Sequence, residues 1–79
     1  MSGRMPETEL RLEGDLPGEG PRVLRVSLEG PVPLKGLLLS LGLDPVRVGP
    51  VLREGRSVVG PQIVLPGEHW ILLPPLDGG

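Results

Sequence analysis

Hydrophobic and polar positions change rhythm three times along this chain. In "TELRLEG" Leu10 and Leu12 share one face, while Glu9, Arg11 and Glu13 share the other, the period-two pattern of a half-buried strand. "DLPGEGP" follows as a turn by composition. "RVLRVSLEG" then alternates again, with Leu24, Val26 and Leu28 opposed to Arg25, Ser27 and Glu29. Two such strands joined by a Pro/Gly loop predict a β-hairpin.

The period changes in "PLKGLLLSLGLDP". Leu34, Leu37, Leu38 and Leu41 fall at i, i+3, i+4 and i+7, which places them on one helical face. Pro33 suits the first turn, where its missing N–H is not needed. Gly42 stands where a left-handed residue ends a helix, and Leu38 with Leu43 supplies the apolar contact of a Schellman cap. Gly36 in the helix interior costs up to about 1 kcal/mol relative to alanine, so packing has to hold the helix.

Beyond Asp44–Pro45, "VRVGPVL" predicts a short or edge strand carrying Val46 and Val48 and interrupted at Gly49–Pro50. "REGR" is expected as a solvated, charged turn, and "SVVGPQIVLPGE" as an irregular stretch. "HWILLPP" reads as a last strand ended by Pro74 and Pro75. The order predicts a two-layer α+β domain, with a four-stranded mixed sheet and one main helix packed on one face. The crossover through the helix lets the last strand pair parallel to the first, and its continuous apolar run suits the sheet centre. Whether Trp70 belongs to the core or to an interface stays open.

Composition narrows the function. Seventy-nine residues make one small domain with a thin core. The thirteen glycines and eleven prolines punctuate regular Leu/Val segments and do not form a low-complexity tract, which argues for a folded chain. A net charge of −2, with no basic block and Trp70 as the one aromatic residue, argues against nucleic-acid binding. No apolar run reaches the roughly 20 residues of a membrane helix, and the opening residues lack a signal-peptide pattern; the expectation is a cytoplasmic protein with no membrane partner.

Candidate chemistry is sparse. There is no cysteine, so no thiolate ligand or nucleophile. The one histidine, His69, has no cluster of ligands or triad partners around it in sequence, and no metal or bound cofactor is expected. "GDLPGEG" lacks the Gly-Lys-Ser/Thr of a phosphate loop and leads into a strand. Nothing here reads as a stand-alone enzyme. What remains is the end, "ILLPPLDGG". Gly78–Gly79 carries no Cβ and suits passage through a narrow slot. From Leu73 the chain can extend at most about 20 Å, enough to enter a partner's active site while the body docks outside. A terminal carboxylate becomes reactive once it is converted to an acyl-adenylate.

The longer stretch "LPGEHWILLPPLDGG" resembles the C-terminal signature of the MoaD/ThiS family of ubiquitin-like sulfur carriers. Leu65, Gly67 and Glu68 look like its final turn, Trp70 to Leu73 its strand, and Pro74, Pro75, Gly78 and Gly79 its tail. "GLLLSLGLDP" is similar to the family's helix and its "LGL" exit, and the strand–strand–helix–strand–strand order is the β-grasp order. The family's turn after the helix often reads Val-Asn-Gly; here it is Val48-Gly49-Pro50, and the acidic residues of the final turn are reduced to Glu68.

The resemblance implies a ubiquitin-like β-grasp domain over residues 8–73, a flexible lead-in over 1–7 and an extended tail over 74–79. It implies that an adenylating enzyme of the ubiquitin-activating type uses ATP on the Gly79 carboxylate, and that a sulfur donor system then makes a Gly79 thiocarboxylate. Gly78, Asp77, Leu76, Pro75 and Pro74 would contact those partners. The Pro74–Pro75 pair is similar to carriers that serve molybdopterin synthesis, whose acceptor is the large subunit of molybdopterin synthase; the chain would be a carrier subunit and co-substrate. Three alternatives stand beside this: a sulfur carrier for thiamine or tRNA thiolation, a protein modifier conjugated through Gly79, and a binding module without tail chemistry. Having Lys35 as its single lysine disfavours a chain-forming modifier.

Overall fold

The computed structural model describes residues 6–13 and 22–75. The turn expected at 15–21, most of the lead-in, and Leu76, Asp77, Gly78 and Gly79 of the tail lie outside the described residues.

Both alternating segments are strands. β1 (Glu7–Leu12) and β2 (Arg22–Ser27) pair antiparallel, with Leu10 opposite Leu24 and Thr8 opposite Val26. Leu10 and Leu12 are fully buried, and Arg11 between them is exposed, as the alternation requires. After the two-residue β3 (Val32–Pro33), helix α1 (Leu34–Ser40) buries Leu34, Leu37 and Leu38. Its end is a complete Schellman motif. Leu43 N–H donates to Leu38 O at 2.9 Å, Gly42 N–H donates to Leu39 O at 3.1 Å, and Gly42 takes the left-handed φ of 80°.

The expected strand at Val46 and Val48 is not formed. Asp44 accepts a hydrogen bond from Val46 N–H at 3.0 Å and caps a 3-10 turn over Pro45–Arg47, which leaves Val46 85% exposed. Local capping with a proline at the first position outcompetes the two-residue alternation. The strand starts after Pro50 instead, as β4 (Val51–Arg53). Glu54 and Gly55, with φ of 49° and 83°, then turn the chain into β5 (Arg56–Val58), the backbone signature of a two-residue hairpin. The expected turn is thus formed at Glu54–Gly55, with Arg53 and Arg56 as the paired strand residues that flank it.

The main sheet accordingly has five strands, not four, in the order β2-β1-β7-β4-β5, with β7 (His69–Leu72) last in the chain. β7 runs parallel to β1 and antiparallel to β4, in the sheet centre as expected. Part of the stretch read as irregular forms β6 (Ile63–Val64), which pairs with β3 in a separate two-stranded ladder. Trp70 and Leu72 are fully buried with Leu10, Leu12, Val64 and the helix leucines, so Trp70 belongs to the core. Burying each leucine of that set contributes about 1.5–3 kcal/mol.

Candidate functional site

β7 is the central strand of the main sheet, and its two ends are held differently. At its start, Glu68 gathers three donors. Its Oε1 accepts from Leu65 N–H at 2.8 Å and from the Trp70 indole N–H at 3.2 Å, and its Oε2 accepts from Arg53 Nε at 2.6 Å. A second guanidinium nitrogen of Arg53 also lies 2.6 Å from Oε2, and the Arg53 guanidinium carbon sits 5.7 Å from the Trp70 ring centre. Burial pushes the Glu68 carboxyl upward, but the Leu65 hydrogen bond, those from Arg53 and Trp70, and the Arg53 charge outweigh it and hold the pKa below the ordinary carboxylate value.

Around this carboxylate the turn is tied to β1. Thr8, the one buried polar side chain among the described residues, accepts from Gly67 N–H at 2.9 Å and donates to Leu65 O at 3.3 Å. On the β4 side, His69 N–H donates to Glu54 Oε2 at 2.6 Å while Glu54 N–H donates to His69 O at 2.9 Å.

The exit of β7 has no such side chains. Leu72 O accepts from Glu13 N–H at 3.0 Å on the β1 side. Leu73 N–H donates to Pro50 O at 3.0 Å, and Leu73 O accepts from Gly49 N–H at 2.7 Å. Those bonds carry the pairing one residue past the strand. Pro74 and Pro75 have no N–H to continue it, and each proline restricts the residue before it to extended backbone. Pro74 is half-buried and Pro75 exposed. A Cβ at Gly49 would fall against Pro74 O and lie 2.7 Å from Pro75 Cα, so the tail's backbone passes directly against this residue.

Of the tail residues expected to act, Pro74 and Pro75 are thus placed at the root of the tail, beside Gly49; the remaining four lie outside the described residues. Two features escaped the sequence reading. Gly49 was visible only as a strand break, although its departure from the Val-Asn-Gly turn was a signal. Arg53 pairs with a carboxylate fifteen positions away, which no local pattern announces. Among the described residues no group of three or more His, Asp or Glu side chains could hold a metal ion, and no helix is long and apolar enough to cross a membrane.

No protein-family model, curated protein or solved structure matches the chain.

Proposed function

We propose that this chain is a ubiquitin-like sulfur carrier whose C-terminal Gly79 is adenylated and converted to a thiocarboxylate, serving molybdopterin synthesis. The observation that carries the reading is the position of β7. The last strand is the central one, paired on both sides, with Trp70 and Leu72 fully buried, and it delivers the chain at Leu73 into two prolines. An anchored strand followed by a stiff extended stretch supports a terminus that is presented to partners, since a tail meant only to fray has no use for a rigid root.

The architecture is read as a β-grasp: an N-terminal hairpin, a helix crossing the sheet, and a final strand parallel to the first. On that reading β5 and the β3–β6 ladder are short additions flanking the four strands that the sequence anticipates. The chemistry needs little from the body itself. The Gly79 carboxylate attacks the α-phosphorus of ATP and diphosphate leaves. A sulfur nucleophile from the donor system then displaces AMP, and the carbon keeps one oxygen and gains one sulfur. The body's part is recognition and delivery, which fits a chain with no cysteine.

The test is intact-mass spectrometry after incubation with ATP, the adenylating enzyme of the source organism and a sulfur donor. A gain of about 16 Da localised to Gly79 is expected, one oxygen exchanged for sulfur. A Gly79-deleted chain controls for oxidation at Met1 or Met5. A carboxylate left bare by the cognate enzyme would overturn the reading, and transfer of the whole chain onto lysines of other proteins would favour the modifier instead.

A further inference from the structure

We propose that Gly49 is a positioning residue for the tail: its missing side chain is the slot against which Pro74 and Pro75 lie, and it sets the direction in which the terminus leaves the body. This rests on the carrier reading for its functional meaning, but its physical basis is independent.

Gly42, Gly55, Gly60 and Gly67 have φ between 79° and 86°, where a turn itself asks for glycine. Gly49 is not among the residues with positive φ, so its own backbone is one that any residue adopts. Space is the reason for glycine here. The atoms that a Cβ would meet are the carbonyl oxygen of Pro74, its carbonyl carbon at 2.8 Å and the Cα of Pro75 at 2.7 Å. All three are backbone, so no rotamer change relieves the contact. Ordinary contact distances lie near 3.5 Å, so an added methyl has to displace the tail root by about 1 Å.

That displacement falls where the chain is least able to absorb it. Leu73 is fixed by its bonds to Gly49 and Pro50, and the two prolines that follow resist bending. Six residues separate Leu73 from the Gly79 carboxylate, so a shift of about 1 Å at the root changes where that carboxylate is delivered. A reacting carboxylate misplaced by that much leaves the attacking geometry, while the docking surface of the body is unchanged.

The experiment is Gly49→Ala in the full chain, alone and combined with Pro74→Gly and Pro75→Gly. The glycines let the tail bend around the new methyl. Adenylation, followed as ATP–diphosphate exchange, should show kcat down roughly 100-fold for Gly49→Ala with KM little changed. The same alanine should cost far less in the glycine background. Equal losses in both backgrounds, an unchanged kcat, or a loss confined to KM would overturn the proposal. Should Gly49→Ala alone fail to fold, the folding of the triple variant supports it and the failure of both overturns it. If the wild-type chain is never adenylated, the carrier reading fails. Gly49 is then judged by NMR: the alanine should shift the Leu73 amide and speed exchange at residue 49, leave Glu9 in place, and do less in the glycine background.

Discussion

The two ends of β7 are built from opposite materials. The start is fixed by charge: one carboxylate accepts from a backbone amide, an indole and a guanidinium, and the neighbouring turn is tied down by Thr8. The exit is fixed by shape: three backbone hydrogen bonds and the absence of a side chain at Gly49. Side-chain networks are strong but specific to their protonation and geometry, whereas backbone pairing and steric fit are indifferent to pH. The strand is therefore held by a charged side-chain network at its start and by backbone pairing and close packing where it emerges.

Removing the Glu68 side chain should break that contrast most severely. Glu68→Ala leaves the Trp70 indole, the Leu65 amide and the Arg53 guanidinium without their acceptor, and costs about 2–3 kcal/mol. The Arg53 side chain is 35% exposed and can rehydrate, which keeps the loss below that of a fully buried pair. For a domain of this size the loss lowers the melting temperature by about 10–20 °C. Circular-dichroism melts would measure it. A wild-type melt for Glu68→Ala would mean the network is decoration.

Acid sharpens the same comparison with a smaller effect. The folded pKa of Glu68 lies below its ordinary value, so between the two the unfolded chain binds the extra proton. The stabilisation is complete above the ordinary carboxylate range and is lost as pH falls through the folded pKa. In Glu68→Gln that contribution is absent, so the gap in urea midpoint between wild type and variant should be largest at neutral pH and should shrink as the pH falls below the ordinary carboxylate range. A gap independent of pH would place the network's strength in the hydrogen bonds alone.

How much of this was legible depended on whether a feature is local. The hairpin of β1 and β2, the leucine face of α1, its Schellman stop and the central placement of β7 all follow from spacing within a few residues, and the structure has them. β4 and β5 were misread because competing local signals hide them. Asp44 and Pro45 take Val46 into a 3-10 turn, and Pro50 looks like a breaker because it lacks an N–H. Its carbonyl nevertheless accepts from Leu73. The Arg53–Glu68 pair and the Gly49–Pro74 approach join positions far apart in the chain, so only the fold brings them together. At the tail itself, the expectation for Gly78 and Gly79 rests on their bare backbone and on the resemblance to a family signature, and both lie outside the described residues.

The mildest perturbation probes the exit alone. Pro75 is exposed, and Pro75→Gly removes no packing; it widens the freedom of the unfolded chain and costs about 0.4–1 kcal/mol. The melting temperature should fall by only a few degrees. The informative reading is hydrogen exchange. The Gly49 amide is protected by its bond to Leu73 O, one residue before the proline pair, and that bond should open more often once the stiff segment is interrupted. The His69 amide, held by the Glu54 carboxylate at the other end of the strand, should exchange as before. Faster exchange at Gly49 alone means that the two ends open separately, as a shape-held exit and a charge-held start require. Equal acceleration at both would mean that β7 opens as one unit and that the difference in how its ends are built has no consequence for its motion.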